Sequence, residues 1–428
     1  MKDYDVIVVG AGPAGSTAAL YAARSGLRVL LLERGPYPGS KNIGGGALYA
    51  QCIKDIVPDL ERAPYERVIT RQEYWFMEEE SAVVLGYNSA RYGRPPYNRL
   101  AVLKARFDPW YAQKAVEVGA LLLTGHKVDA LLFDGEQVVG VRIGSPAVQD
   151  IYAPITILAE GAAALLAQKA GLVSRLRPEH MSLYVKEIIR LPARVIESRF
   201  NLQPGQGAVI GLLGYSTLGF EGTSSLYTNR DSIGINAGST VQTLKVAGVH
   251  PYRLLERIKN HPLIAPLIAG GRSLEYTSHL IPDGGYRQVP QLYRAGLLLA
   301  GDVAGMVNGI QGINLAMTAG KMAAETSVEA LRKGDISERG LKLYRDLLEG
   351  SYVLKDLRAN RGVPGLYNRR PYLFDVYTGM ANSVAQDLTT VAPIPKREKR
   401  RAIWRKMTQM RPLGGMIRDF WDAFRVSR

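Results

Sequence analysis

In this chain of 428 residues, the residue types and spacings best suited to chemistry are a glycine loop and two acids. Gly10-Ala11-Gly12-Pro13-Ala14-Gly15 follows the β-branched run at 4–9 (YDVIVV) and opens an alanine-rich stretch closed by Ser25-Gly26. Residues 27–32 (LRVLLL) then deliver Glu33. That order predicts a strand buried on both faces, a helix and a second buried strand, the βαβ unit that holds a dinucleotide. Gly10 permits the tight turn, Gly12 lets the backbone approach a pyrophosphate, and Gly15 lets helix and strand pack closely. The helix start then faces the phosphates, and Glu33 accepts from the ribose hydroxyls. The loop alone does not separate a nicotinamide from a flavin cofactor.

A second constellation lies far downstream. Residues 295–304 (AGLLLAGDVA) predict a short buried strand over 297–300 that ends in Gly301 and Asp302. A glycine-rich turn from Gly305 to Gly312 and a helical segment over 313–325 follow. Asp302 can present its carboxylate to a polyol. The free amides at the helix start can face an electron-rich group, which in a flavin is the pyrimidine edge where charge gathers on reduction. A plain strand–turn–helix crossover with an aspartate at its cap has the same pattern. Upstream, Asp108-Pro109 predicts a helix start with the aspartate as cap and proline in the first turn, leaving Arg106 beside it to attract phosphate.

The elements that position these groups belong to an ordinary globular protein. With 46% hydrophobic and 22% charged residues the chain is not disordered, and at about 150 residues per domain its length allows two or three domains. The single cysteine, Cys52, excludes a disulfide framework and any self-contained cysteine-ligated zinc or iron–sulfur site, so no metal site is expected. The five histidines lack ligand spacing, and no internal repeat is present. The longest uncharged stretches, 200–220 and 303–320, are broken by Pro204 and glycines and by Asn308, Gln311 and Asn314. Neither is the apolar run of about 20 residues that a spanning helix needs. Lys2, Asp3 and Asp5 lead at once into a strand without an export core, so a cytosolic or membrane-surface protein is expected.

Taken in order, GAGPAG at 10–15, LLLER ending at Arg34, Arg106-Phe107-Asp108, AEG at 159–161 and AGDVAG at 300–305 resemble a known flavoprotein group. That group includes p-hydroxybenzoate hydroxylase and the geranylgeranyl reductases. Within it the chain is similar to the electron-transfer flavoprotein:quinone oxidoreductase family, in its short FixC-type branch. The stretches that carry this are SKNIGGG (40–46), VKEIIRLP (185–192), SLYTNRDSIGI (225–235), RIKNHPLI (257–264) and LIPDGGY to VPQLY (280–293), and the likeness runs from residue 1 to about 350.

The resemblance implies an α/β fold: a Rossmann-like FAD-binding domain, a β-rich substrate (quinone) domain and a helical C-terminal region. The expected boundaries are 1–75, 100–170 and 280–335 for the first, 76–99 and 175–280 for the second, and 336–428 for the third. It implies that Gly12, Ala14 and Gly15 hold the FAD pyrophosphate, with Gly10 also among the cofactor-binding residues, Glu33 and Arg34 at the adenosine and Val128 flanking the adenine. Asn42, Gly44, Gly45 and Gly46 line the flavin, Arg106 meets the phosphate side, and Gly161 and Gly301 border the cofactor. Asp302 binds the ribityl chain or pyrophosphate, and Gly312, Ile313 and Asn314 bring amides to the pyrimidine edge. The chemistry implied is electron transfer from an electron-transfer flavoprotein to a membrane quinone, with no catalytic side chain because the cofactor does the redox work.

A quinone pocket is implied at 221–227 (EGTSSLY), through Gly222, Thr223 and Tyr227. The apolar segment 208–220 before it suits either the mouth for an isoprenoid tail or a strand and turn of the domain. Longer relatives carry a cysteine-ligated four-iron cluster near the C-terminus, whereas this chain has no cysteine after position 52. The resemblance therefore implies a separate ferredoxin-like subunit and a multisubunit complex, electron bifurcation being one form such a complex takes. A geranylgeranyl-reductase-like enzyme acting on prenyl lipids is the runner-up. A flavin-free prenyl-lipid-binding protein is the non-enzyme alternative.

Lysines and arginines number 54 against 39 acids, a net +15, and the excess is concentrated at the end: residues 396–428 hold eleven basic residues and three acids. There Leu413, Met416, Ile417, Phe420, Trp421 and Phe424 share one helical face, opposite Arg418, Asp419, Asp422 and Arg425. Ile403, Trp404, Met407 and Met410 make a similar face upstream. A basic amphipathic helix with tryptophan on its apolar side suits an anionic leaflet, predicting a peripheral protein on the cytoplasmic face of the membrane. Docking on the protein's own core or on a partner subunit is the other reading. Nucleic acid is not expected, since no reader module or stacking surface is present.

Overall fold

The computed structural model describes residues 3–40, 44–57, 59–174, 177–309, 311–370 and 372–426, without the side chains of residues 145 and 368. It divides into two compact units. The first comprises Met1–Glu66, Pro96–Met181 and Leu280–Arg358, and the second Arg67–Pro95, Ser182–His279 and Ala359–Arg428.

The first unit is built on a six-stranded sheet. Its order is Tyr293–Arg294, Leu297–Leu299, Ile155–Leu158, Val6–Val9, Val29–Glu33 and Leu121–Thr124. All pairings are parallel except that of Tyr293–Arg294 with Leu297–Leu299. The central strands VIVV, ITIL, VLLLE and LLL are buried throughout, as strands covered on both faces must be. Pro13–Arg24 forms the first crossover helix, with Pro13 in its opening turn, and Gly26 at φ +83° follows it. Ile313–Lys333 crosses this helix in close contact: a Cβ on Gly320 would lie 2.2 Å from the Ala14 carbonyl oxygen. The later helix continues past the expected end near 325 because Thr326, Ser327 and Ala330 are buried. The stop is Gly334, at φ +68°.

Two smaller pieces complete this unit. Gly45–Tyr49 pairs antiparallel with Arg99–Leu103. Lys127–Asp134, Gln137–Ser145 and Gln149–Tyr152 make an antiparallel three-stranded sheet.

One expected element begins elsewhere. The helix predicted to start at Asp108 runs instead over Lys104–Glu117, with Pro109 inside it. Proline removes one backbone donor and crowds the preceding turn. The helix persists because it buries Phe107, Tyr111, Ala112 and Ala115, and because Asp108 pairs with Lys104 one turn earlier at 2.8 Å. Asp108 is therefore a buried ion-pair partner and not a cap.

The second unit is β-rich. Arg272–Pro282, Met181–Arg190, Ser232–Thr240, Thr223–Thr228, Gln206–Gly214 and Tyr65–Met77 lie in that order, and Ala82–Asn88 pairs with the last. Three tyrosines lie over glycines directly opposite them in register: Tyr74 on Gly211, Tyr184 on Gly238 and Tyr227 on Gly234. In the last pair a Cβ on Gly234 would fall 2.1 Å from the tyrosine ring, so glycine is required there. The core gathers Ile189, Ile210, Leu212, Leu226, Ile235 and Ile258.

Leu373–Thr389 belongs to this second unit and buries Thr378, Met380 and Asn382. The Asn382 amide donates to the Phe76 carbonyl at 2.8 Å. Lys396–Met410 and Leu413–Val426 follow. Among the described residues no helix is long and apolar enough to cross a membrane.

Candidate functional site

The three loop glycines meet three different surroundings. Gly10 sits at φ +102°, its N–H donating to the Leu32 carbonyl at 2.7 Å, and a Cβ there would lie 2.3 Å from the Ala159 carbonyl oxygen. A Cβ on Gly15 would lie 1.8 Å from the Gly10 carbonyl oxygen. A Cβ on Gly12 would meet nothing within 4 Å among the described residues beyond its own helix and chain neighbours. The first two positions need glycine for the protein's own packing, while the third leaves open space over the helix start.

Glu33 ends the second strand with its side chain almost buried. Its carboxylate accepts from the Ala11 N–H at 3.1 Å and the Gly35 N–H at 2.7 Å. The acid is thus tied to the glycine loop with lone pairs to spare for hydroxyl donors. Exposed Arg34 lies within electrostatic reach of Glu160. Burial raises the Glu160 carboxyl pKa, while donation from the Leu166, Ala167 and Leu165 amides opposes that rise. Gly161 at φ +82° has open space around it, and Val128 is buried.

Arg106 is half-exposed and donates to the buried Glu66 carboxylate at 3.1 Å. Gly39, at φ +84°, lies against the Lys104–Asp108 pair: a Cβ would be 2.8 Å from the Lys104 carbonyl oxygen and 3.0 Å from the Asp108 Cβ. Burial pushes the Asp108 carboxyl up, and Lys104 draws it back.

The downstream constellation lies against the first. A Cβ on Gly301, at φ +82°, would lie 3.0 Å from the Ala14 Cβ, so the turn carrying Asp302 packs on the opening turn of Pro13–Arg24. Gly312 caps Ile313–Lys333. Within its first turn Asn314 is buried, and its Oδ1 has no hydrogen-bond partner among the described residues. The Asn314 carbonyl accepts from the Thr318 hydroxyl at 2.8 Å and the Tyr352 hydroxyl at 3.2 Å. Those two hydroxyls are 2.9 Å apart. Thr318 and Tyr352 were not legible as neighbours of this turn. Thr318 follows Asn314 by one helical turn, a spacing open to inspection, but Tyr352 arrives from another helix.

Gly44 leads into the Gly45–Tyr49 strand, which Gly45 and Gly46 open, and among the described residues nothing lies within 4 Å of a Cβ on Gly46. Asn42 lies outside the described residues.

The expected quinone residues sit in the second unit on Thr223–Thr228. One face of this strand, Ser224, Leu226 and Thr228, is wholly buried. The other grades from exposed Thr223 to buried Tyr227. The Thr223 hydroxyl lies 3.0 Å from that of Tyr184, and the Asn236 amide donates to Ser225 at 2.7 Å. Tyr227 packs on Gly234, and a Cβ on Gly222 would lie 2.3 Å from the Gly238 carbonyl oxygen. The apolar segment before them is the strand Gln206–Gly214 followed by a turn, and its Ala208, Ile210 and Leu212 belong to the core.

The C-terminal helix Leu413–Val426 docks by its polar side. Asp419 is only 2% exposed, whereas Phe420 is 66%, Trp421 52%, Ile417 51% and Leu413 48% exposed. The Asp419 carboxylate accepts from Tyr372 at 2.9 Å, Tyr377 at 2.8 Å, and Arg411 at 2.9 and 3.0 Å, with Arg370 at 3.4 Å. Asp422 pairs with Arg370 at 2.9 Å, and Val426 packs on Gly362. In Lys396–Met410, Ile403 is buried but Trp404 and Met410 are exposed, so that expected face is divided.

Residues 5–191 match the family described as FAD dependent oxidoreductase, and residues 363–428 match the ETF-QO/FixC family C-terminal domain. Protein FixC of Azorhizobium caulinodans is 40% identical, with 100% of this chain and 99% of that one covered. Protein FixC of Azotobacter vinelandii is 42% identical over 98% of this chain and 99% of its own. The likeness expected to fade near residue 350 thus continues through the tail. A solved geranylgeranyl bacteriochlorophyll reductase-like protein from Thermoplasma acidophilum superposes with a TM-score of 0.74. It is 20% identical, with 96% of this chain and 98% of that one covered, a likeness of fold.

Proposed function

The chain belongs to the FixC family of FAD-dependent oxidoreductases, and on that premise we propose that it carries electrons from an electron-transfer flavoprotein to a membrane quinone. FAD is the cofactor, which removes the flavin-free lipid-binding alternative. Bound FAD supplies the electron-accepting and electron-donating chemistry, and the chain's residues bind and orient it. The residues present suit that cofactor. Gly12 leaves room for a pyrophosphate at a helix start, Glu33 is held at the loop as a hydroxyl acceptor, and buried Asn314 has an acceptor oxygen unpaired among the described residues beside a second helix start. In this reading Gly10, Ala14, Gly15, Arg34 and Val128 complete the pyrophosphate and adenosine side, Gly161 and Gly301 border the cofactor, Asp302 meets the ribityl chain or pyrophosphate, and Arg106 lies near the phosphates.

The observation that carries the quinone reading is the joint match. FixC relatives span the whole chain, and the C-terminal segment matches a domain shared with the quinone oxidoreductases. The single cysteine supports a ferredoxin-like subunit as carrier of any cluster in the complex. Gly222, Thr223 and Tyr227 remain our proposed quinone contacts. The outward apolar helix face, among eleven basic residues in 396–428, supports a peripheral position on an anionic leaflet.

Anaerobic mixing of the chemically reduced holoprotein with a menaquinone analogue is the test. Reoxidation, followed by the return of flavin absorbance, is expected. No reoxidation by any quinone, with reoxidation by a prenyl lipid, overturns the proposal in favour of a geranylgeranyl-reductase-like activity.

A further inference from the structure

An amphipathic helix in water ordinarily buries its apolar stripe. Leu413–Val426 does the reverse, and the cause is visible in its sequence. Gly415, Asp419, Asp422 and Val426, spaced four, three and four apart, form a second stripe on the opposite side. Asp419 and Asp422 are the positions that bind it: both oxygens of the Asp419 carboxylate are filled by Tyr372, Tyr377 and Arg411, and Asp422 takes Arg370. The Arg411 guanidinium also lies 4.6 Å from the Tyr372 ring centroid. A buried carboxylate stripped of such partners is costly, so these contacts dictate which side faces in.

We propose that Asp419 is the positioning residue of an orientation latch, which holds the C-terminal helix polar side inward before any lipid is met. The outward face is then a fixed platform for an anionic phospholipid surface, not a tail that folds upon it. The platform half of this inference rests on the membrane reading above, and the latch half does not. Phe420, Trp421, Ile417 and Leu413 suit the headgroup–acyl boundary. The basic residues that outnumber acids in 396–428 match the leaflet's charge.

Hydrogen exchange on the full-length holoprotein, with and without vesicles of mixed zwitterionic and anionic phospholipid, separates the two halves. Wild type should protect the amides of 413–426 in water alone and co-sediment with the vesicles. Asp419→Ala and, as a second variant, Arg411→Ala should speed exchange of that segment at least tenfold in water. Both should weaken co-sedimentation while flavin content stays unchanged. Phe420→Ser with Trp421→Ser should keep the protection and lose the vesicles. Unchanged exchange in both latch variants overturns the latch. A wild type that ignores the vesicles, or self-associates through this face, overturns the membrane reading while the exchange result still decides the latch.

Discussion

Two helices with clear stripes meet opposite fates in this molecule. Ile313–Lys333 turns Leu315, Met317 and Ala319 into the first unit and lies across Pro13–Arg24 through Gly320 and Ala14. Leu413–Val426 carries larger apolar residues and leaves most of them outside, docking instead by a charged carboxylate. The difference teaches that periodicity divides a helix into faces without saying which face is covered. Coverage depends on what waits opposite: the small residues of Pro13–Arg24 in one case, two arginines and two tyrosines in the other.

Substitutions can break this contrast, and the strongest act at the glycine loop. Gly15→Val places atoms where the Gly10 carbonyl stands, and it should abolish both stable folding and flavin retention. Gly12→Ala places its Cβ in open space, so the flavin-free protein should melt as wild type does while purified material loses flavin absorbance. Equal melting losses in both variants would contradict the division of labour among the glycines.

Next in size, Leu315→Ala should cost about 2–5 kcal/mol in denaturant unfolding, as for a fully buried leucine. Trp421→Ala should stay within about 0.5 kcal/mol despite removing a larger side chain. If Trp421→Ala proved the costlier, its face would be covered and the comparison would fail.

The latch has a defined pH dependence. Burial pushes the Asp419 carboxyl up, but donation from Arg411, Tyr377 and Tyr372 outweighs it and holds the group below the ordinary aspartate value of 3.8. A depressed carboxylate pKa contributes stability above the unfolded value, and that contribution is lost as pH falls through the folded one. Protection of 413–426 should therefore persist from neutral pH to about 4 and fade only below it. Loss near pH 6 would point to another group.

The smallest effect is at Gly334, where alanine must adopt φ +68° in otherwise open space. It should cost about 1 kcal/mol, measured by thermal unfolding.

Much of the first unit was legible. VIVV, VLLLE and LLL are strands because continuous β-branched and leucine runs have no polar face to expose, and the glycine loop and Glu33 follow from local spacing. The start of Lys104–Glu117 was not legible, because Pro109 marks a break that only the buried Lys104–Asp108 pair and aromatic packing override. Tyr352 at Asn314 and Tyr372 at Asp419 join residues 38 and 47 positions apart in the chain, distances at which no periodicity speaks.

By itself the sequence determined the βαβ unit with its glycine loop and the two stripes of the last helix, since each is a matter of local order and spacing, and its resemblance to known proteins pointed to the flavoprotein family. Only the tertiary structure decided which stripe faces outward. That choice is made by the hydrogen-bond donors of Arg411, Tyr372 and Tyr377, whose convergence on one buried carboxylate exists only once the chain has folded.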